Sequence, residues 1–253
     1  MGHKIPNLVH FVYGLLPHQP FQVRHYLAVK SAHDVYRPDQ IRFYYQYPPE
    51  GEWWDRAQLL LHLVHVTPPS HIFGIPLLHY AHQSDIVRLE ALLQHGGLYF
   101  DIDTVVLRPL AEALESSCVM AKQGTRGLCN AVIAAEPQAP FLQRWYQMYH
   151  HFRSRGHDEH WDESSVIWPF QLSQQPQLQP FINVFDSNAF FFPLWDNMES
   201  LFISRDADLF QASYSIHLWE SKTAAQWLDN ITLDYIYRYE SNFTMMARRI
   251  LTR

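Results

Sequence analysis

Hydrophobic and polar positions near the start of the chain form blocks that alternate between strand and helix character. Continuous apolar runs at residues 5–12 and 41–47 predict buried strands, and residues 21–36 between them predict an amphipathic helix. The Pro48-Pro49 pair then ends the second strand. The chain therefore opens with a β-α-β unit.

The same alternation continues through the middle of the chain. Residues 59–66 are apolar without a decisive period, whereas residues 75–83 and 84–95 have helical periodicity, and Gly96-Gly97 ends the second helix. Short extended runs follow at residues 98–101, 104–107, 119–121 and 131–134, and residues 141–152 predict an aromatic amphipathic helix. Alternation of this kind predicts an α/β sandwich.

The pattern becomes less regular in the last third of the chain. Prolines and a glutamine-rich patch predict irregular structure over residues 156–193. Residues 215–219 fit a last strand or a loop, and residues 233–251 predict a closing helix with Arg248 and Arg249 near its C-terminal end, where the helix dipole favours cations. Because the chain has no repeat and no Gly/Ser linker, we expect a single domain over residues 1–253.

Composition excludes several function classes. The chain has 253 residues and is 47% hydrophobic and 17% charged, which excludes a disordered chain. A net charge of -6 gives no broad cationic field, so no nucleic-acid partner is expected. No apolar run is long enough for a transmembrane segment, and residues 1–10 lack a signal-peptide pattern. Cys118 and Cys129 have no metal-ligand spacing and favour a reducing compartment, although one disulfide between them stays open.

Two charged residues stand out at the start of the helix predicted from Ser84. Asp85 and Arg88, at spacing i and i+3, share one helix face, and Ser84 is the expected N-cap. An acid complements the positive end of the helix dipole, but a cation there is disfavoured. Arg88 therefore suggests an anionic partner such as a diphosphate, with a salt bridge to Asp85 or Glu90 as the alternative.

Two carboxylates follow the short strand predicted at residues 98–100. Alternation puts Asp101 and Asp103 on one face at the carboxyl end of that strand, where open α/β sheets bind ligands. Two hard oxygen ligands so close suit Mg²⁺ or Mn²⁺. Asp206-Ala207-Asp208 repeats the Asp-x-Asp spacing but follows polar residues, so we predict a solvated turn there. The dipeptide spacing alone is therefore weak, and its context carries the signal.

The whole segment resembles the signature of the DXD-containing sugar-transferase family, glycosyltransferase family 32, with a related pattern in the large clostridial glucosylating toxins. The first ten residues from Ile5 also resemble the family's opening strand, whose end, at Val12, Tyr13 and Gly14, would hold the donor nucleobase. Tyr13 is equally consistent with an ordinary aromatic residue at a strand end. The residues that match the signature are Ser84, Asp85, Arg88, Gly96, Gly97, Tyr99, Asp101, Asp103 and Pro109.

This resemblance implies a GT-A fold that binds a nucleotide sugar with Mn²⁺ (or Mg²⁺) and transfers the sugar with retention of configuration. Asp103 would be a direct metal ligand, Asp101 would be shared between metal, ribose and sugar, and Asp85 and Arg88 would contact the donor sugar or phosphate, with Ser84 beside them. The donor and metal part would span residues 1–135, and the acceptor and closing part residues 136–253. A mechanism in which the leaving diphosphate helps to remove the acceptor's proton would need no protein nucleophile.

Later segments extend the resemblance with less specificity. Asn130 would line the sugar pocket, and the C-terminal His-x-Trp region would supply His217 as a third metal ligand; the alternative for Asn130 is a polar residue at a strand start. Trp168-Pro169 departs from the Gly-Pro of relatives, which leaves the acceptor side open. Weaker donor contacts are expected at Trp219, Ser221 and Lys222, and the carboxylates at Asp158, Asp162, Glu163 and Asp196 are surface residues or acceptor contacts.

The expected donor is a UDP-hexose in preference to a GDP-hexose, and the expected acceptor is a glycan, a lipid-linked sugar or a protein. We expect a bacterial cytoplasmic enzyme of surface polysaccharide synthesis, with peripheral association at the inner face of the membrane left open; an excised catalytic domain and an injected effector are alternatives.

Two other functions compete with the glycosyltransferase interpretation. A haloacid dehalogenase-type phosphatase would use Asp101 as nucleophile within Asp101 to Val105, although no later acidic motif follows. A non-catalytic carbohydrate-binding module would account for the 15% aromatic content.

Overall fold

The computed structural model describes residues 4–111, 114–206 and 208–253. Its strands are β1 (Leu8–Val12), β2 (Gln40–Tyr45), β3 (His62–His65), β4 (His71–Ile72), β5 (Ile75–Pro76), β6 (Gly97–Phe100), β7 (Thr104–Val106), β8 (Cys118–Gln123), β9 (Gly127–Ala135), β10 (Asn183–Phe185) and β11 (Ser215–His217). Its helices are α1 (Val23–Ser31), α2 (Glu52–Ala57), α3 (Tyr80–His95), α4 (Pro140–Met148), α5 (Trp168–Ser173), α6 (Glu199–Phe202), α7 (Glu220–Thr223), α8 (Leu233–Arg238) and α9 (Asn242–Leu251).

Seven strands form one mixed sheet in the order β10-β8-β9-β6-β1-β2-β3. β1 pairs in parallel with β2 and β6, and β2 pairs in parallel with β3. β9 runs antiparallel to β6 and β8, and β10 joins β8 in parallel at the other edge. Two short antiparallel pairs, β7 with β11 and β4 with β5, lie outside this sheet.

The two faces of the sheet carry separate hydrophobic cores. On one face Leu27 of α1 and Phe243 of α9 pack with Phe11 of β1. On the other face Leu89 of α3 and Trp145 of α4 pack with sheet residues that include Tyr99. Helices on both faces of a central sheet confirm the predicted α/β sandwich.

Most predicted elements of the first half are confirmed, with shifted ends. The helix predicted over residues 21–36 is α1 followed by a π-helical turn, Ala32–Tyr36, and it ends at Arg37 in the left-handed conformation. The undecided stretch 59–66 contains the edge strand β3. The Gly-Gly stop is confirmed, because Gly96 caps α3 with φ of 62° and Gly97 begins β6.

The predicted helix over residues 75–83 is confirmed only from residue 80 onward, and the expected N-cap at Ser84 is wrong. Ile75–Pro76 forms the short β5, and α3 begins at Tyr80. His79 is the N-cap, since its Nδ1 accepts a hydrogen bond from the backbone N–H of Ala81 at 3.1 Å. Ser84 therefore lies inside α3, and Arg88 lies in its third turn rather than its first.

The later part of the chain is more ordered than its composition predicts. The stretch 156–193 contains α5 and also β10, which completes the main sheet. The predicted closing helix is two helices, α8 and α9, because the Ser241 hydroxyl accepts from the N–H of Thr244 and starts a new helix. The strand alternative at residues 215–219 is confirmed by β11.

Three smaller predictions also have outcomes. Cys118 and Cys129 are free and buried, so the disulfide left open does not form. Asp206 and Asp208 lie in an exposed turn, as predicted, while Ala207 between them lies outside the described residues, as do residues 1–3 of the N-terminal segment. None of the helices in the described part of the chain is long and apolar enough to cross a membrane.

Candidate functional site

The carboxyl end of β1 opens onto a pocket through a tight turn at Gly14. The Gly14 carbonyl oxygen accepts hydrogen bonds from the N–H groups of Gln46 and Tyr47, at 3.1 and 2.8 Å. Gly14 has φ of 78°, and a Cβ atom there would lie 2.3 Å from the Tyr47 carbonyl oxygen. The turn therefore requires glycine. Tyr13 beside it donates its hydroxyl to the Pro20 carbonyl at 2.9 Å.

The end of β6 brings two carboxylates to the same pocket. The backbone N–H of Asp101 donates to the Ala131 carbonyl of β9 at 2.8 Å, which fixes where the strand ends. Asp103 precedes β7, and Thr104 of β7 pairs with His217 of β11. This antiparallel ribbon places His217 beside both carboxylates, so that one ligand atom from each of the three residues lies within 4.8 Å of the others.

Asp103 and His217 form a buried ion pair at the centre of this cluster. His217 Nε2 lies 3.0 Å from one Asp103 carboxylate oxygen, and the backbone N–H of Glu220 donates to the other at 2.7 Å. Burial favours the neutral form of both groups, but their mutual attraction and hydrogen bond prevail, so the pKa of Asp103 is lowered and that of His217 is raised.

The three side chains fit a divalent cation. Two carboxylates and one imidazole are a donor set that Mn²⁺ accepts, whereas Mg²⁺ prefers oxygen ligands throughout. His217 would have to release its Nε2 proton to become a ligand, and the bond to Asp103 would then be replaced. The predicted ligands Asp101, Asp103 and His217 are therefore brought together by the fold.

Arg88 and Tyr99 fix the orientation of Asp101. Arg88 Nη1 lies 3.0 Å from Asp101 Oδ1, and the Tyr99 hydroxyl donates to the same oxygen at 2.7 Å. The guanidinium also stacks over the Tyr99 ring at 4.4 Å. Because Arg88 lies in the third turn of α3, the helix dipole does not disfavour its charge. Arg88 forms the alternative salt bridge with Asp85, and a second one with Asp101 that was not predicted.

Asp85 and Asn130 lie behind Arg88 and not on the pocket wall. Arg88 Nη2 lies 3.3 Å from Asp85 Oδ1, and the Asn130 side-chain amide donates to the same oxygen at 2.8 Å. Burial raises the pKa of Asp85 because it outweighs the attraction of Arg88. In this arrangement the two residues hold Arg88 in place, which differs from the direct sugar contacts expected for them.

The pocket itself has a volume of about 340 Å³. Two predicted contacts point elsewhere: Trp219 is buried and donates its indole N–H to the Pro193 carbonyl at 3.0 Å, and the Lys222 ammonium lies 5.5 Å from the centre of the Trp195 ring. The predicted residues that line the pocket are Val12, Tyr13, Gly14, Ser84, Arg88, Asp101, Asp103, His217 and Ser221.

Sequence reasoning missed Glu220, which also lines this pocket. Glu220 accepts from Arg24 Nε at 3.0 Å and pairs with His25 Nε2 at 3.0 Å, both on α1. Burial would raise the pKa of Glu220, but these partners lower it. No local pattern could reveal this, since the pairs join residues 195 or more positions apart. The other lining residues that were not predicted as site residues are Leu15, Gln19, Tyr80, Ala81, Tyr99 and Ile102.

Comparison with known proteins agrees with this geometry. The family model described as "Glycosyltransferase sugar-binding region containing DXD motif" matches residues 23–120. "Glucan organizing enzyme 1" of Cryptococcus neoformans var. grubii is 33% identical over 269 residues, covering 98% of this chain and 71% of that protein.

Solved structures give a weaker but consistent likeness. The apo form of the glycosyltransferase GlyE from Streptococcus pneumoniae TIGR4 superposes with a TM-score of 0.50 at 12% identity, over 97% of this chain and 60% of that one. The PaToxG glycosyltransferase gives 0.48 at 14% identity, over 96% and 86%. With the mixed sheet described above, the GlyE match confirms the expected GT-A fold class.

Proposed function

Because the chain belongs to the family of glycosyltransferases whose sugar-binding region contains a DXD motif, we propose that it transfers a hexose from a nucleotide sugar to a carbohydrate acceptor in a metal-dependent reaction that retains the anomeric configuration. The observation that carries the proposal is the convergence of Asp101, Asp103 and His217 on one pocket. A UDP-hexose is the favoured donor. The name of the fungal relative refers to glucan, which supports a glycan as acceptor.

In this proposal the pocket residues divide into a base end and a reacting end. Val12, Tyr13 and Gly14 lie at the end of β1 and would hold the nucleobase. Asp101, Asp103 and His217 would hold Mn²⁺. When bound, the ion would neutralise negative charge on the departing diphosphate. Arg88 keeps Asp101 in place and adds a positive charge to the same wall.

The carboxylates on the pocket wall support a reaction without a protein nucleophile. Asp101 is held by Arg88 and Tyr99, and Asp103 by His217. Glu220 is paired with α1. Each of these three carboxylates, among the described pocket residues, already has a structural partner. This favours a front-face mechanism in which the leaving diphosphate accepts the proton of the acceptor hydroxyl.

Nucleotide binding tests the proposal directly. We would measure thermal unfolding with UDP, GDP, ADP and CMP, each with and without Mn²⁺. A ligand at about 100 times its Kd stabilises the folded state by about 2.7 kcal/mol. We expect this for UDP with Mn²⁺, and we expect Asp103→Asn to abolish it.

The second Asp-x-Asp sequence supplies a matched control. Asp208 lies in an exposed turn away from the pocket, so Asp208→Asn should leave the UDP shift unchanged. A full UDP shift in Asp103→Asn, or the absence of a shift with every nucleotide, would overturn the proposal. A shift with GDP instead would correct the donor base.

The family assignment argues against the two competing functions. The chain is a glycosyltransferase by family, which neither a phosphatase nor a non-catalytic binding module would be. Hydrolysis of p-nitrophenyl phosphate that depends on Asp101 would restore the phosphatase interpretation. Residence in a bacterial cytoplasm stays a prediction.

A further inference from the structure

Four aromatic side chains form a partly exposed platform beside the candidate donor pocket. The platform consists of His79, Tyr80, His157 and Trp161. Tyr80 lines the pocket and is 41% exposed, and its ring centre lies 4.5 Å from that of His79. His79 lies 4.9 Å from His157 and 4.8 Å from Trp161, and the last two lie 4.1 Å apart. The rings meet at angles between 31° and 86°, and Tyr80 is the member that connects them to the pocket wall.

The loop that carries the outer part of the platform is braced by one carboxylate. Asp158 accepts hydrogen bonds from the Ser154 hydroxyl at 2.8 Å and from the N–H groups of Arg155 and His160 at 2.7 and 3.0 Å. These bonds hold the loop without any ligand. Such preorganisation lowers the entropic cost of binding.

A buried histidine of α3 anchors the platform from below. His82 is 2% exposed, and its Nε2 lies 3.1 Å from the Trp161 carbonyl oxygen. A carbonyl oxygen can only accept, so Nε2 carries the proton in this bond. The His82 ring also lies 4.8 Å from the Trp161 ring. Trp161 is thus held through its backbone as well as its side chain.

The chemistry of this surface suits a saccharide better than a charged lipid. Aromatic faces pack on the C–H faces of pyranose rings, while the tyrosine hydroxyl and the ring nitrogens of histidine can meet sugar hydroxyls. Two arginines near the loop are paired with carboxylates, Arg126 with Asp162 and Arg153 with Glu163, and the exposed Arg155 is the loop's own cation.

We infer that this platform is the acceptor subsite and that the acceptor is a saccharide chain stacked on Trp161 and His157. The inference rests on the proposed function, because Tyr80 belongs to both the platform and the donor pocket. A saccharide on the platform would extend past Tyr80 toward Asp101 and place its terminal hydroxyl group at the donor sugar.

Binding of neutral sugars tests the inference without requiring catalysis. We would record saturation-transfer NMR with laminaritetraose, cellotetraose and maltotetraose, in the presence of UDP and Mn²⁺. We expect binding of at least one of them, weakened about tenfold by Trp161→Ala and partly restored in Trp161→Phe. Tyr237→Ala, which removes a 55% exposed ring on α8, is the matched control and should bind as the wild type does.

Donor hydrolysis separates this inference from the proposed function. Trp161→Ala should hydrolyse UDP-hexose at the wild-type rate while its KM for the saccharide rises about tenfold. If the wild type binds UDP with Mn²⁺ but none of the sugars, or if Trp161→Ala binds and uses sugars normally, the platform is not the acceptor subsite. If sugars bind at Trp161 but no nucleotide binds, the proposed function fails and the platform stands. Equal transfer to a peptide by wild type and Trp161→Ala would also overturn the inference.

Discussion

At the residue scale, His10 shows how a buried titratable group couples stability to pH. His10 is fully buried in β1, with Nε2 at 2.7 Å from the Gly96 carbonyl oxygen and Nδ1 at 3.1 Å from the Tyr44 hydroxyl. The carbonyl oxygen needs a proton on Nε2, and the tyrosine can donate to Nδ1, so both nitrogens of the neutral ring are satisfied. Burial lowers the pKa of His10 to about 4 from 6.5.

This shift predicts a loss of stability in mild acid. The unfolded chain takes up the His10 proton near the ordinary pKa, while the folded protein resists protonation until about pH 4. The contribution is therefore fully present above the unfolded pKa and declines as the pH falls, by as much as ~3 kcal/mol in all. Urea unfolding between pH 7 and pH 4 should show a shallower decline in His10→Gln than in the wild type. The exposed His62→Gln should follow the wild type, and equal slopes for all three proteins would contradict the assignment.

Residue patterns predicted the members of the candidate site better than their roles. Asp101, Asp103 and His217 meet as expected. Asp85 and Arg88 share a helix face as their spacing predicts, but they pair with each other. Arg88 lines the pocket, whereas Asp85 lies behind it. The spacing along one helix predicts which side chains share a face. Which of them reaches the pocket depends on residues distant in the sequence, such as Asn130 of β9, which holds Asp85.

At the element scale, the turn after β1 combines two separable constraints on Gly14. Its φ of 78° disfavours any L side chain, and a Cβ atom would also collide with the Tyr47 carbonyl oxygen at 2.3 Å. Gly74 has nearly the same φ, 80°, but no atom within 4 Å of its would-be Cβ. The two glycines therefore allow backbone strain to be measured apart from steric collision.

We predict that Gly14→Ala is much more harmful than Gly74→Ala. The Gly74 substitution should cost about 1–2 kcal/mol from the left-handed backbone alone. Gly14→Ala adds displacement of the Tyr47 backbone and should also weaken nucleotide binding at the end of β1. Urea unfolding gives the stability change, and calorimetric titration with UDP and Mn²⁺ gives the affinity. Equal effects of the two substitutions would show that the Tyr47 backbone can shift to accommodate the added Cβ atom at no further cost.

Elements with a strong local signal were predictable from the sequence, and those that depend on a partner were not. The Gly96-Gly97 stop and the strands around it follow from glycine and apolar runs. β10 lies in a proline-rich stretch and becomes a strand because the edge of β8 is available to it. The start of α3 was missed because histidine is a rare N-cap, and its role depends on the local loop.

At the scale of the whole molecule, the C-terminal part of the chain contributes a strand and a helix to the sheet and core that the N-terminal part forms. β10 extends the sheet, and α9 packs on α1 through a core that includes Phe243 and Ala247. We therefore propose that residues 1–135 are not an independent folding unit. Expressed alone, that segment should lack a cooperative urea transition, whereas the full chain should unfold in a single one. A cooperative transition of the segment would divide the chain into two domains.

The bonds between distant positions have a consequence for how the protein is made. The partner of Asp103 is His217, 114 positions later, and the partner of Arg24 is Glu220, 196 positions later. Contacts of such high sequence separation form slowly and late. During synthesis, α1 and the first strands leave the ribosome before the partners of Arg24 and Asp103 have been made. The candidate site is thus incomplete in the nascent chain until residues 217–220 have been translated.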